Sequence, residues 1–485
     1  MSSILESNAI QPVNETKQIE ALKSLAEVAK ARKQSGKQNY LATVRVSPGA
    51  YLAVSSVLTF VAALLLRSGR EGWALLSIVV AWAVVPALAL TDRIAFDGEV
   101  LVRRGLIPFL RHLLFGRREQ LSVVDVERVD TNAVRTLRRG GRVRYRYRSQ
   151  LFGKGTGFVF ASGGARYRDM VRQLFPLILD SKLDLRTRDL RDYLCDPKLL
   201  SQEVKTLQLA SPDVLDNATS AVKVGGRNET TETRAEATGA DVERAVHLRQ
   251  LGNRLRIAGR LKEAGEAFRR ALIVLPHDAW LIFDFARLLR SQASAEADAE
   301  LLARARAALR LSSMRADEDA ALLALLGESL LEYNDVTRAE RNFQRALELE
   351  PGTYRARLGL ADVALRNGKL AHVINQYRDA AAATNEKALV AFANREADYY
   401  FCLNDDDDYL STELRRINWL QTLSHMRRLA ARITNASILI ALLGPYLNST
   451  IGSMGWALAS SSILAWLLGL FGTRLLAERR QRPGG

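Results

Sequence analysis

Residues 245–278 read AVHLRQLGNRLRIAGRLKEAGEAFRRALIVLPHD, and this 34-residue stretch recurs along the chain. A second clear copy occupies 320–353. The recurring positions are small residues, one aromatic and a closing proline: Leu251-Gly252, Gly259, Ala264, Phe268, Ala271 and Pro276 in the first copy, and Leu326-Gly327, Ala339, Phe343, Ala346 and Pro351 in the second. A fixed period of this length predicts pairs of helices that stack on one another, because no single pair can bury its apolar face alone.

Two weaker copies complete the array. Residues 279–315 form a degenerate copy with an insertion around SQASAEADAE, and 354–387 form a fourth copy with Gly368 and Tyr377 at the expected offsets. The array resembles the tetratricopeptide repeat (TPR), which implies an α-solenoid over residues 243–387. Further helices in 388–432 are predicted to cap it.

The resemblance also implies a binding surface, because the first helix of each TPR repeat lines a concave face that binds peptides or proteins. In the family's chaperone-tail binders, a basic residue and an asparagine four positions later hold a C-terminal carboxylate. Arg249 and Asn253 occupy those positions in the first repeat, but Asp284 stands where the second repeat would need an asparagine. A groove for some other protein partner is therefore favoured over a carboxylate clamp. The residues predicted to bind protein are Arg249, Asn253, Asp284 and Arg355.

Long stretches without charge flank the soluble part of the chain. They predict two transmembrane helical hairpins, at 45–92 and 433–474, since about twenty apolar residues cross a bilayer as a helix. The individual spans are expected at 47–66, 73–91, 433–449 and 454–474. Buried apolar helices of a soluble protein are the less favoured alternative.

Lysine and arginine counts near the span ends predict the orientation. Basic residues cluster before the first span, after the second, before the third and after the fourth, whereas the loop between the last two spans has none. By the positive-inside rule, both termini and residues 92–432 belong on the cytoplasmic side of an inner membrane. The short loop between the first two spans carries Arg67 and Arg70, which count against this assignment but are outnumbered.

A basic, strand-rich region follows the second span, over residues 93–183. Apolar residues alternate with polar ones in QLSVVDVERVD (120–130) and in 142–148, as in half-buried strands. The strand period also covers Leu106-Ile107-Pro108, and a closing helix is expected from Arg166 to Leu179. Two spans, a compact antiparallel sheet and one helix resemble the bacterial pleckstrin-homology (PH)-like membrane domains, although the insert FLRHLLFGRRE (109–119) departs from that pattern.

The charge of this domain predicts an anionic neighbour. Residues 93–180 contain 18 Lys+Arg and 8 Asp+Glu, a net charge of +10 within a chain of net charge +16. One hypothesis is that the arginines of a single strand face recognise an acidic lipid headgroup; the alternative, a solvated basic face, is favoured. The residues of this face are Arg142, Arg144, Arg146 and Arg148. Nucleic acid is disfavoured, because no aromatic stacking platform accompanies the charge.

The remaining segments are typical of linkers and chain ends rather than of a catalytic or metal-binding site. Residues 1–44 contain a short amphipathic helix, 184–242 read as a linker, and 475–485 form a basic tail. The five histidines are scattered, the two cysteines have no metal-site spacing, and the acidic run 405–408 is interpreted as a helix cap rather than a cation site. We therefore expect no cofactor, no metal and no enzymatic activity.

Together these features predict a multi-domain α+β membrane protein: two transmembrane helical hairpins, a small antiparallel PH-like β domain and an α-solenoid of TPR repeats. The function that fits best is a membrane-anchored scaffold, adaptor or assembly factor that binds a protein partner in the repeat groove and faces an anionic lipid surface. It would be a subunit of a membrane complex. The alternative is a lipid-sensing or lipid-handling protein that uses the basic β domain.

Overall fold

The computed structural model divides the chain into two compact units, residues 1–54 with 79–395 and residues 55–78 with 396–485. Most of the predicted N-terminal segment, nearly all of the basic tail and Arg142 lie outside the residues that the structure describes. The described residues are 40–46, 49–115, 119–137, 143–161, 164–207, 209, 239–316 and 318–476.

Seven strands in the described residues form two antiparallel sheets, in the orders β1-β2-β3-β4 and β5-β6-β7. The strands are β1 (Ala42–Arg45), β2 (Arg93–Phe96), β3 (Val100–Arg104), β4 (Gln120–Ser122), β5 (Arg128–Leu137), β6 (Val143–Gly153) and β7 (Thr156–Ala161). Apolar residues of both sheets, such as Phe96, Leu151 and Phe160, share one core with Tyr167 and Met170 of the closing helix. The alternation that predicted strands thus turns one face of each sheet inward.

The first strand is a feature that the sequence did not suggest. Residues Ala42–Arg45 precede the first apolar helix, yet they pair with Arg93–Phe96, which follow the second. Val44 and Ala42 are buried in the domain core, which explains the pairing. The chain therefore enters and leaves the first predicted hairpin through two neighbouring strands of one sheet.

The apolar hairpin consists of α1 (Gly49–Arg67) and α2 (Glu71–Thr91). Residues Val80–Val84 of α2 form a π-helical turn just before Pro86. Proline removes one hydrogen bond and crowds the preceding turn, and a π turn accommodates both effects. Within the described residues, Glu71–Thr91 and Thr450–Thr473 are long and apolar enough to cross a membrane, and Tyr51–Arg67 is apolar but shorter.

The insert in the β domain is helical, which corrects the strand expected at Leu106-Ile107-Pro108. Residues Leu106–Phe115 form α3. Strand β3 ends because Gly105 adopts a positive φ of 151°. The closing helix is α4 (Ala165–Leu174), shorter than expected because 3₁₀ turns follow at Phe175–Leu177 and Asp180–Lys182.

Part of the linker predicted for 184–242 is folded, and residues 208 and 210–238 of that range lie outside the described part of the chain. Two of its segments are helical: α5 (Leu185–Tyr193) and α6 (Pro197–Thr206). Each begins with an aspartate cap, Asp184 accepting from Thr187 N at 2.8 Å and Asp196 accepting from Lys198 N at 3.3 Å. Leu190 and Leu200 are buried, so these helices belong to the folded unit.

The helical solenoid is confirmed. In the described residues the array consists of four helix pairs: α7 (Gly239–Ala258) with α8 (Leu261–Val274), α9 (Ala279–Glu296) with α10 (Ala299–Arg315), α11 (Ala320–Glu332) with α12 (Val336–Leu349), and α13 (Tyr354–Arg366) with α14 (Leu370–Ala382). Asp278 and Asp319 cap the first helices of the second and third repeats. A methyl group added at Gly327 or Gly359 would overlap the ring of Phe343, which therefore fills the gap between consecutive repeats.

The C-terminal helices are longer than expected. Following α15 (Lys387–Asp405), α16 (Asp407–Leu447) runs without a break through the predicted cap and the predicted third span. The last helix is α17 (Ser449–Leu475). Gly455 of α17 packs directly on the backbone of α16 at Ala441.

The turn after α7 makes a close contact between the first repeat and the β domain, and it can be tested at one glycine. Gly259 has a φ of 80°, and an added methyl would overlap the carbonyl oxygen of Val143 in β6. Gly368, at the same position of the fourth repeat, has a φ of 72° and open space around its Cα. Both alanine variants bear the cost of a left-handed backbone, about 1–2 kcal/mol.

We expect Gly259→Ala to destabilise the protein by a further ~1–3 kcal/mol, the usual cost of forced overpacking. The measurement is the thermal unfolding midpoint of the purified full-length variants by circular dichroism. Equal midpoints for Gly259→Ala and Gly368→Ala would contradict the contact.

Candidate functional site

The chain's own segment 180–193 contacts the first helices of the repeats, the helices that line the concave face in TPR arrays. At one end, Arg355 of the fourth repeat donates to the carbonyl oxygens of Asp180 (2.8 Å) and Leu183 (2.7 Å). In the middle, Leu185 packs against the core around α11. At the other end, Asp189 of α5 pairs with arginines of the first two repeats. The segment therefore crosses the first helices of all four repeats, and we call it the groove segment.

Three of the predicted groove residues meet, but they bind one another. Arg249 Nε and Asn253 Nδ2 both donate to Asp284 Oδ2, at 2.7 and 2.8 Å. Asp284 and Asn253 are buried. The carboxylate that a bound C-terminus would supply is thus provided by the second repeat, at the position where the family's clamp has an asparagine.

A second carboxylate completes the cluster. Asp189 Oδ2 lies 2.9 Å from Arg256 Nη2 and also accepts a hydrogen bond from Arg287. Arg256 in turn donates to Asn253 Oδ1 at 3.1 and 3.2 Å. We call Asp189, Arg249, Arg256, Asp284 and Arg287, with Asn253, the groove cluster.

Sequence reasoning missed Asp189, Arg256 and Arg287. A signal for the two arginines does exist: each follows a polar groove residue by three positions, Asn253 or Asp284, so it lies on the same helix face. Asp189 carries no comparable signal, because only the fold brings α5 into the groove.

Asp284 and Arg256 keep their charges in spite of burial. Burial would raise the pKa of the Asp284 carboxyl, but Arg249 and Arg287 outweigh it and hold that pKa below its usual range. Burial would lower the pKa of Arg256, yet the carboxylates of Asp189 and Asp284 raise it. Ionised groups inside a protein must be paired, and here they pair with one another.

The β domain and the repeats are also joined outside the cluster. Tyr147 of β6 donates to the carbonyl oxygen of Ile257 at 2.8 Å. Lys182, almost fully buried, pairs with Glu386 at 3.0 Å. Arg395 of α15 binds both carboxylate oxygens of Glu127. These contacts fix the β domain on the concave side of the repeats.

Part of the concave face remains open between β5 and the third and fourth repeats. A cavity of about 610 Å³ lies there, and we call it the open channel. Its walls combine apolar and aromatic side chains with charges of both signs. They include Arg128, Asp130, Asn132, Tyr354, Arg355, Leu358, Asp362, Leu365, Arg366 and Phe392.

The basic strand has the alternation that the sequence predicts. Arg144, Arg146 and Arg148 of β6 are exposed, while Tyr145 and Tyr147 turn toward the core. Among the described residues, the three guanidinium groups have no ion pair or hydrogen-bond partner. Arg142, the fourth predicted member, is outside the described part of the chain.

The acidic run and the other candidate ligands do not form a metal site in the described residues, where no group of three or more His, Cys, Asp or Glu side chains could hold an ion. Asp406 accepts from Tyr409 N at 3.0 Å, as a helix cap does. The acidic run is therefore explained by local structure.

The groove cluster predicts that α5 depends on a single carboxylate. Asp189→Asn keeps the shape of the side chain but removes the carboxylate nearest to Arg256 and Arg287. Asp284 is then left to balance both arginines. Removing one partner of a buried ion pair typically costs about 3–5 kcal/mol, and the remaining carboxylate places this variant at the lower end of that range. We expect amide hydrogen exchange in residues 185–193 of the full-length protein to become faster by roughly a hundredfold.

The matched control is Glu300→Gln, which removes an exposed ion pair with Arg304 and should change stability by less than about 1 kcal/mol. Unchanged protection of α5 in Asp189→Asn would show that the cluster does not hold the segment.

The protein has only limited similarity to known proteins. No family model matches the chain, and no curated protein matches it. Three solved TPR-protein structures are similar. MamA protein is 18% identical, with a TM-score of 0.25, covering 35% of this chain and 95% of MamA. Pseudomonas aeruginosa pilF is 20% identical, with a TM-score of 0.29, covering 45% and 99%.

The third structure, the APC/C hetero-tetramer Cut9-Hcn1, is 15% identical, with a TM-score of 0.28, covering 61% of this chain and 50% of that one. These TM-scores are low, so the likeness carries no conclusion about partners. The helix pairs of the chain itself make it a TPR-like helical solenoid combined with small antiparallel sheets.

Proposed function

We propose that this protein is a membrane-anchored scaffold that receives a segment of a protein partner in the open channel. The observation that carries the proposal is the division of the concave face. The groove segment occupies part of this face through buried ion pairs, whereas the channel beside Tyr354 and Leu358 remains accessible. TPR-like arrays bind partners on this face, so the part left open is the place where a partner would bind.

The walls of the channel suggest the chemistry of the partner. Leu358, Leu365 and Phe392 offer apolar contacts. Arg366 and Asp362, which form an ion pair of 3.3 Å, place charge of both signs on the wall. An extended peptide with apolar anchors and flanking charges fits such a surface. The predicted carboxylate clamp is not part of the proposal, because Asp284 already satisfies Arg249 and Asn253.

Membrane anchoring completes the proposal. It is supported by the charge-free stretches at both ends of the soluble part and by the Lys/Arg distribution, which favours the cytoplasmic side of an inner membrane. The proposed role is assembly: the protein would hold a partner at the membrane and would carry out no reaction itself.

The channel is tested by photocrosslinking at two positions of similar exposure. Leu365 lines the channel and is 39% exposed, whereas Leu349 of α12 is 45% exposed and lies outside the channel. A photoreactive phenylalanine analogue at Leu365 of the full-length protein, in its native membrane, should crosslink to a discrete partner that the same analogue at Leu349 does not capture. Identical patterns at both positions, or none at Leu365, would contradict the channel as the binding site.

A second function, recognition of anionic lipid, is favoured by the three exposed arginines of β6. Charge reversal of Arg144 and Arg146 should reduce the anionic lipid that copurifies with the protein severalfold, because phosphate binds to guanidinium groups by paired hydrogen bonds. The control is charge reversal of the exposed Arg304 in the second repeat. If the charge-reversed protein no longer performs its cellular role although the Leu365 crosslink persists, recognition of anionic lipid is the function of the protein. If neither the copurifying lipid nor the cellular role changes, the arginines form a solvated face.

A further inference from the structure

Helix α3 presents an apolar stripe to the outside of the β domain. Leu106, Phe109, Leu110 and Leu113 recur at helical spacing and are all exposed, Phe109 to 61% and Leu113 to 71%. The opposite side of α3 faces the domain, where Pro108 is buried. A helix that turns its large apolar residues away from its own domain needs another apolar partner.

The position of α3 identifies that partner. The helix begins immediately after Gly105, whose close packing would place an added Cβ 3.0 Å from Asp92 Cα and 3.1 Å from the carbonyl oxygen of Thr91. Thr91 is the last residue of α2. The start of α3 therefore lies within van der Waals distance of the point where the apolar hairpin rejoins the sheet.

A buried carboxylate holds this junction together. Asp92 is 1% exposed and binds Arg103 of β3 through two hydrogen bonds, at 3.0 and 2.7 Å. It also accepts a hydrogen bond from Tyr51 of α1. Both ends of the hairpin and the strand that leads into α3 are thus fixed to one another.

Positive charge lies at the same end of the sheet. Arg45, Arg93 and Arg104 are exposed and stand side by side on β1, β2 and β3, since Arg45 pairs with Arg93 and Arg93 with Arg104 in the strand register. Like charges on neighbouring strands repel one another in water. An anionic surface at this end of the sheet would offset that repulsion.

We propose that α3 lies in the interfacial layer of the same membrane, with its apolar stripe among the lipid chains and the row of three arginines against anionic headgroups. The combination of an apolar helix face with adjacent basic residues is typical of helices that bind the membrane plane. The proposal rests on the membrane anchoring proposed above. It gives the β domain a second attachment to the bilayer, beside the hairpin, and so fixes the domain's orientation.

The test places an environment-sensitive fluorophore at one of three positions in the full-length protein, reconstituted into vesicles of zwitterionic and anionic phospholipid. Single cysteines replace Leu113 in α3, Leu75 in the hairpin or Val124, in a background with Cys195 and Cys402 changed to serine. The three sites are similarly exposed, Leu75 to 68% and Val124 to 66%. Val124 is the control, because the adjacent Val123 bonds to Glu99 in the turn between β2 and β3, at the opposite end of the sheet from the arginine row.

Nitroxide-labelled lipids should quench the fluorophore at Leu113, with a loss of emission strongest for nitroxides near the headgroups. They should quench at Leu75 with deeper nitroxides, and they should leave Val124 unaffected. Quenching at Leu75 without quenching at Leu113 would overturn the role of α3 and leave the anchoring intact.

Quenching at Leu113 without quenching at Leu75 would support α3 as a membrane-binding helix and overturn the hairpin as an anchor. Phe109→Gln, combined with the Leu113 label, should reduce the quenching at Leu113, because it removes one apolar side chain from the stripe. Unchanged quenching in this variant would count against the insertion of the stripe.

Discussion

The larger unit of the protein depends on the contact between Asp189 and two arginines, the buried Arg256 and the half-buried Arg287. Isolated charges are costly to bury, so these side chains are stable inside the protein only in the arrangement where each one finds its partner. A buried ion cluster gives less net stability than an apolar core of the same size would. It is, however, intolerant of displacement, and this property fixes α5 in one position along the repeats.

This contact changes what the repeat array can do. In a free TPR groove, Arg249 and Asn253 would be available to a ligand, but here Asp284 satisfies both and α5 covers their neighbours. The groove has become an internal interface that joins the β domain to the repeats. The proposed binding surface is the open channel, which is lined by β5, by the groove segment and by the third and fourth repeats.

The β domain is consequently held from two sides. Its strands β1 and β2 continue into the apolar hairpin, with Asp92 joining the hairpin ends to β3. Its other surfaces contact the repeats through Tyr147 and Lys182. In the proposed function, a partner in the open channel would touch the same β domain whose strands continue into the apolar hairpin, so the proposed binding and the proposed anchoring would involve one folded unit.

Several features of the fold follow from local periodicity in the amino-acid sequence. The 34-residue repeat gave the helix pairs, because Gly327, Phe343 and Gly359 pack in register only if each repeat stacks on the next. The alternation in β6 predicted a strand with its arginines on one face, because successive side chains of a strand point to opposite sides. Charge-free length identified the apolar segments, and the predicted cap and third span lie on one continuous helix.

Tertiary structure alone decided the pairings between residues far apart in sequence. Strand β1 has four residues and too little pattern of its own; it forms because β2, on the far side of the hairpin, offers an edge. Most of the groove segment was predicted to be part of a linker, since the charge of Asp189 is unfavourable in a core until Arg256 and Arg287 pair with it. The sequence therefore specified the elements and the repeats, whereas the occupant of the groove depended on long-range electrostatic pairing that no local pattern records.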